Sequence, residues 1–246
     1  MSEERRISIQ ENLRRVREAI GAACERAGRS PEEVTLVAVS KKKPFSDIED
    51  ACASGVIHFG ENYVQELTQK IELNSGSGEP KPIRWHMIGH LQKNKVKYLI
   101  GQTALIHSVD SVPLAEQIEK EAAKKGETVR ILLEVNIARE ESKWGFAPED
   151  VRQAARDIGA LPHVRVLGLM TSAPMTDDPE SNRIHFRALN ALARELADRQ
   201  LLAGSDPDFQ VPVLSMGMTG DYVTAVEEGA TLVRVGTGIF GERNGG

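Results

Sequence analysis

The 246-residue chain has only two cysteines, Cys24 and Cys52, and they share no C-x-x-C spacing. That excludes a disulfide framework and a paired-thiol redox motif, and it fits a reducing cytoplasm. Each reads better as a small core residue than as a reactive thiol. No uninterrupted apolar run approaches the ~20 residues that cross a bilayer, so no membrane association is expected. The opening Met-Ser-Glu-Glu-Arg-Arg lacks the basic-then-apolar order of a signal peptide. Positive charge is not in excess: the net charge is −5 and the pI about 5.8. A general nucleic-acid surface needs a basic face, so that class is excluded. No low-complexity block or linker divides the chain, and Asn74 to Pro82 and Ala203 to Asp208 read as loops.

What is present is an ordinary soluble composition, 40% hydrophobic and 27% charged, arranged in a repeat. An amphipathic helix comes first, with Ile9, Leu13, Val16, Ile20 and Ala23 on one face, Ser8 and Glu11 as its capping box, and Gly28 as its stop. Eight strand-like runs follow, at 34–40, 56–60, 85–89, 104–109, 129–137, 164–171, 211–216 and 231–235. Helical segments at about 46–54, 62–73, 92–100, 112–125, 148–159, 180–202 and 221–228 separate them. Ser46 with Glu49 suits a capping box, and Pro148 a first helical turn. Parallel strands need crossovers of this kind. The expected fold is a single (β/α)8 TIM barrel domain over residues 1–246 with an extra N-terminal helix. An open doubly wound sheet is the competing architecture. Such folds often carry G-x-G-x-x-G or a Walker loop after the first strand, whereas here Ser40-Lys41-Lys42-Lys43-Pro44 follows.

In a TIM barrel the C-terminal strand ends build the active site. Lys41 is the first residue beyond the first strand, placed to form a Schiff base if burial or neighbouring cations lower its pKa. The plainer reading puts all three lysines in a solvated charge run, and for Lys42 and Lys43 that reading is preferred. After the seventh and eighth strands come Ser215-Met216-Gly217-Met218-Thr219-Gly220 and Gly236-Thr237-Gly238. Loops at these two strands commonly cradle phosphate, with glycines admitting the anion to backbone N–H groups and hydroxyls adding donors. Closure of the barrel puts that cradle beside Lys41, and the chain reads as a pyridoxal 5'-phosphate (PLP) protein. Arg234 lies in an otherwise apolar strand, either outside against a helix carboxylate or inside, facing the cofactor ring as a permanent donor. His58, His86 and His107 fall on consecutive strands. Hydrogen bonding inside the barrel or stacking on the cofactor outweighs a metal site, because no His-x-His pair or obvious carboxylate partner accompanies them. Asp110, Glu134 and Asn136 are polar lining without an assigned task.

These motifs together resemble one family along essentially the whole chain. They are Val39 to Pro44, Phe59-Gly60-Glu61-Asn62-Tyr63-Val64-Gln65-Glu66, Trp85-His86-Met87-Ile88-Gly89-His90-Leu91-Gln92-Lys93-Asn94-Lys95, Asn136-Ile137, and Ser142-Lys143-Trp144-Gly145. Gly168-Leu169-Met170, Ser215 to Met218 and Val233 to Gly241 complete the set. The chain resembles the pyridoxal-phosphate homeostasis proteins. The resemblance implies a barrel like the N-terminal domain of alanine racemase, with PLP held as an internal aldimine on Lys41. It further implies phosphate contacts from Thr219, Gly236, Thr237 and the Met218 main chain, Arg234 at the pyridine nitrogen and Asn62 near the ring. Lys143 matches a lysine suggested in the family to handle a second PLP. The family often has serine where this chain has Thr219, and the hydroxyl is kept.

Two functions stay open: a carrier that buffers PLP and delivers it to apo PLP-dependent enzymes, and a PLP-dependent racemase or related enzyme. Racemisation needs acid/base groups on both faces of the substrate. Alanine racemase takes one, a tyrosine, from a second domain of its partner subunit, and this chain is expected to lack that domain. An arginine at the ring nitrogen also weakens the electron sink. The expectation is therefore a cytoplasmic, monomeric carrier without robust catalysis. An aldolase-type barrel using Lys41 on a substrate carbonyl ranks last.

Overall fold

Eight short strands close on one another in chain order. They are β1 (Thr35–Val39), β2 (His58–Glu61), β3 (Arg84–Met87), β4 (Leu105–Val109), β5 (Val129–Glu134), β6 (Val164–Met170), β7 (Val213–Ser215) and β8 (Leu232–Val235). All pair parallel, and β8 returns to β1 with Val37 opposite Arg234 and Ala38 opposite Val235. This is the closed barrel expected, and closure rules out the open sheet. The computed structural model describes residues 3–242, so the ends of the expected 1–246 domain lie outside the described residues.

The helices are α1 (Glu3–Arg26), α2 (Phe45–Ala53), α3 (Val64–Gly76), α4 (Val112–Lys125), α5 (Val151–Gly159), α6 (Arg183–Asp198), α7 (Tyr222–Glu227) and α8 (Thr237–Phe240). The stripe Ile9, Leu13, Val16, Ile20, Ala23 is buried as its spacing predicts. The start is earlier than expected: α1 begins at Glu3, so Ser8 and Glu11 lie inside it and form no capping box. Neither does Ser46 with Glu49, because α2 starts at Phe45 behind Pro44. The capping box that does form is Ser30 with Glu33, on the 3-10 turn leading into β1. Pro148 precedes α5 rather than opening it, and the expected helix over 92–100 is a 3-10 helix, Lys93–Tyr98.

Alternation along the strands divides the core into two layers. Val37, Leu105, Leu132, Leu167, Val213 and Leu232 fill the barrel with Phe209. Ala38, Phe59, Ile106, Ile131, Leu169 and Val233 point outward to the helices. The 204–212 segment runs under the N-terminal end of the barrel. Phe209 packs edge-on against the His58 and His86 rings, with centroids 6.1 and 6.0 Å away. Ion pairs from Arg84 to Asp208, from Arg130 to Asp206 and Asp208, and from Arg165 to Asp206 latch that segment to the starts of β3, β5 and β6. The floor is thus closed, and the polar residues at the strand C-termini face the open mouth.

Candidate ligand site at the barrel mouth

Beyond Val39 the chain turns sharply. The Lys43 N–H donates to the Ser40 carbonyl at 3.0 Å, and Lys42 takes a left-handed φ of 59°. The turn is braced from outside by a buried network. Lys70 on α3 donates to the Ser40 carbonyl, to Glu61 Oε1 and to Glu66 Oε1, each at 2.7 Å. Ser40 Oγ donates to the same Glu61 oxygen at 2.6 Å, and the Lys42 N–H donates to Glu66 at 2.5 Å. Lys41 is partly buried at the centre of this braced turn, in phase with the inward residues Val37 and Val39. Lys42 is exposed as expected. Lys43 is not a solvated charge: its Nζ donates to the carbonyls of Phe240, Gly241 and Glu242 at 3.1 to 3.2 Å, capping the end of α8.

Across the β1–β8 seam, the Gly236 and Gly238 N–H groups both donate to Thr219 Oγ1, at 3.2 and 3.3 Å. Thr219 follows β7, so loops seven and eight meet here as expected. A Cβ on Gly238 would stand 2.9 Å from Val235 Cγ1, and one on Gly217 (φ +89°) 2.6 Å from Ala225 Cβ. Side chains at either position would push these loops apart. Thr237 is exposed on the first turn of α8. The Met218 N–H, expected to reach a phosphate, instead donates to Asp221 Oδ1 at 2.7 Å, and Asn182 holds the other oxygen of Asp221 at 2.9 Å. Asn62 lies one strand further round, its backbone pressed on Gly89, where a Cβ would come within 2.4 Å of the Asn62 carbonyl oxygen.

Arg234 takes the interior of the two places open to it. It is 4% exposed, on the same face of β8 as Leu232, and donates to Ser215 Oγ at 2.6 Å and the Thr171 carbonyl at 2.9 Å. Burial pulls its pKa down to about 10, against the pull of Glu134 and Asp221. It remains a cation and a donor. Glu134 at the end of β5 is pushed up to about 7 by burial and by Asp110, with Arg234 opposing.

The three histidines hydrogen-bond within the barrel. His58 Nδ1 lies 2.9 Å from His86 Nε2, and His86 Nδ1 lies 2.8 Å from His107 Nε2. His107 Nδ1 is 2.8 Å from Ser215 Oγ. Burial holds all three well below the ordinary histidine pKa, so they are neutral. Ser215 is thus a hub that sequence reading left as one hydroxyl among several; its inward phase with Val213 was the available signal. Lys143 lies on the β5–α5 loop, where Nζ donates to the Ser172 and Ala173 carbonyls at 3.1 and 3.0 Å and pairs with Glu140. Its neighbour Trp144 stacks on His90 at 4.1 Å. The cysteines are free. Burial raises both thiols, Cys52 to about 11, which suits core residues rather than nucleophiles.

Comparison with known proteins agrees with this architecture. The family model described as alanine racemase, N-terminal domain, matches residues 7–244. The pyridoxal phosphate homeostasis protein of Aquifex aeolicus is 44% identical over 233 residues, spanning 95% of this chain and 97% of the relative. A structure described as an unknown protein from Bifidobacterium adolescentis superposes with a TM-score of 0.88 at 38% identity, over 98% of this chain and 97% of that one. PipY of Synechococcus elongatus, solved with PLP bound, superposes with a TM-score of 0.77 at 34% identity, over 95% of this chain and 100% of that one. On the closed barrel and this similarity along almost its whole length, the chain belongs to the pyridoxal phosphate homeostasis protein family, built on the alanine racemase N-terminal fold.

Proposed function

We propose that this protein holds PLP at the barrel mouth and serves PLP homeostasis, buffering the cofactor and delivering it to apo PLP-dependent enzymes. The observation that carries the site assignment is the pair of amides converging on Thr219 Oγ1. Those bonds, at 3.2 and 3.3 Å, are long for N–H···O contacts. A neutral hydroxyl oxygen occupies a place where an anionic oxygen would draw shorter, charge-assisted bonds. The donor set therefore fits a phosphate, with Thr219, Gly236 and Thr237 as its holders and the Met218 main chain committed to Asp221.

When bound, PLP supplies an aldehyde that bonds reversibly to an amine. We assign that amine to Lys41, whose turn is fixed by Lys70, Glu61 and Glu66 rather than left to solvent. Arg234 faces the ring nitrogen as a donor, and Asn62 borders the ring from the β2 loop. A donor that keeps its proton leaves the ring nitrogen unprotonated and poor at stabilising a carbanion, which favours carrier over racemase. The shared name of the curated relatives, at 35–44% identity, supports the same choice. We place the carrier in the cytoplasm as a monomer of one barrel domain. Among the described residues no helix is long and apolar enough to cross a membrane.

The test is borohydride reduction of PLP-incubated protein followed by peptide mapping. A phosphopyridoxyl group on Lys41 is expected, and a folded protein without one overturns the assignment. Carrier and enzyme separate on addition of amino acids in D2O: the carrier leaves Cα–H unexchanged, whereas rapid exchange establishes the racemase-like alternative.

A further inference from the structure

The interior histidines form part of one continuous chain, and counting protons fixes its direction. Arg234 is donor-only, so the 2.6 Å contact to Ser215 Oγ uses one acceptor site of that hydroxyl. Ser215 is fully buried, and among the described residues Oγ has only one other partner, His107 Nδ1 at 2.8 Å. If His107 donated there, the Ser215 O–H would be left buried without an acceptor, a costly arrangement. The hydroxyl therefore donates to His107 Nδ1. A neutral imidazole that accepts at one nitrogen carries its proton on the other. His107 Nε2 then donates to His86 Nδ1 at 2.8 Å, and His86 Nε2 donates to His58 Nδ1 at 2.9 Å. The chain runs from β8 through β7, β4 and β3 to β2, every donor pointing away from Arg234. It ends at half-buried His58, whose nearest charges are Arg84 and Asp208 at the barrel floor.

Arg234 makes no ion pair among the described residues. Glu134 and Asp221 act on it through space, and its direct partners are a hydroxyl and a carbonyl. Aligned donors place the negative end of each dipole towards the guanidinium and polarise one another along the chain. We propose that His107, His86 and His58 are all Nε2–H tautomers and form, through Ser215, the neutral counter-dipole that holds Arg234 in place as a fixed donor at the ligand site. The three histidines are positioning residues, of which His107 acts most directly. The tautomer assignment stands on the protein alone; the consequence for the ligand rests on the PLP reading above.

The first experiment is long-range 1H–15N correlation of the histidine rings in the full chain at neutral pH, without cofactor. Three histidines with protonated Nε2 and bare Nδ1 are expected. An Nδ1–H tautomer or an imidazolium at any of the three overturns the chain, whatever PLP does. The second experiment compares His107→Asn, whose amide oxygen can still accept from Ser215, with His107→Leu, which cannot. In PLP-loaded protein, His107→Leu is expected to shift the absorbance maximum of the bound chromophore and its pH titration, and to weaken PLP retention about tenfold. His107→Asn is expected to restore wild-type values within about twofold. Identical spectra and affinities for both variants refute the positioning role. If His107→Leu does not fold, a shifted chromophore in His107→Asn refutes it, and the tautomer result decides the chain itself. Failure of wild-type protein to take up PLP would overturn the proposed function and leave the tautomer result standing.

Discussion

Replacing Lys70 with Met keeps the length and bulk of the side chain and removes only the ammonium. Lys70 is 6% exposed and Glu61 0%, so water cannot make good the loss. Three bonds of 2.7 Å disappear, leaving Glu61 with a single donor, Ser40 Oγ. Its second oxygen is already buried without a partner, and the Ser40 carbonyl keeps only the Lys43 N–H. Removing one member of a buried pair costs about 3–5 kcal/mol. Burial already biases Glu61 towards its protonated form, and taking up a proton would relieve part of the penalty, so about 3 kcal/mol is the expected loss. For a chain of this length that lowers Tm by about 6–12 °C. Urea and thermal melts followed by circular dichroism measure it. Adding Glu61→Gln to Lys70→Met removes the stranded charge and should recover more than half of the loss. A Lys70→Met protein less than about 1 kcal/mol below wild type, or a double variant that recovers nothing, would refute the reasoning.

Other perturbations follow from the same geometry. Thr219→Val strips the acceptor from the Gly236 and Gly238 amides and the hydroxyl assigned above to the phosphate, and should weaken PLP binding about tenfold in fluorescence titration; Thr219→Ser should stay within about twofold, and equal loss in both would count against the hydroxyl. A Cβ at Gly168 would fall 1.9 Å from the Val213 carbonyl, so Gly168→Ala must part β6 from β7 at a cost above about 3 kcal/mol; a wild-type melting curve would disprove that close approach. Glu134 keeps its proton to about pH 7 in the fold against an ordinary 4.5. Unfolding releases that proton, so this residue's contribution, full below about pH 4.5, is lost as pH rises to about 7. Glu134→Gln should flatten the stability profile between pH 5 and 7.5 in urea melts, and an unchanged slope would exclude the assignment.

The barrel was legible because eight short strand-like runs alternate with helical segments, a pattern set by local burial. The convergence of the strand ends that carry Lys41, Arg234, Thr219 and Gly236 was legible for a related reason: topology alone puts the ends of strands one, seven and eight together. What escaped was whatever depends on which partner a polar group finds. Ser8 and Glu11 have capping-box spacing, yet the helix continues upstream, where Arg5 pairs with Asp47 and donates to the Phe240 carbonyl. The Met218 amide looked available until Asp221, three residues on, took it. Hydrogen bonding among the histidines was foreseen, but its direction needed the distance to Ser215, 108 positions away from His107. Lys43 read as one of a solvated pair with Lys42 because the carbonyls that it caps lie 197 to 199 residues away in sequence.

That last contact has a further consequence. Lys43, Arg5 and Asn12, whose Nδ2 donates to the Ile239 carbonyl at 3.0 Å, all grip the turn of α8, and the groups assigned to the ligand straddle the same seam between β1 and β8. Contacts of such sequence separation form late in folding, after the loop-closure entropy of almost the entire polypeptide has been overcome. On the proposed assignment, a nascent chain can shape β1 to β6 and still have no phosphate cradle, because Gly236 and Thr237 are made after those strands. On the proposed site assignment, a chain stalled before β8 offers Lys41 without the Gly236 and Thr237 groups that would hold the phosphate.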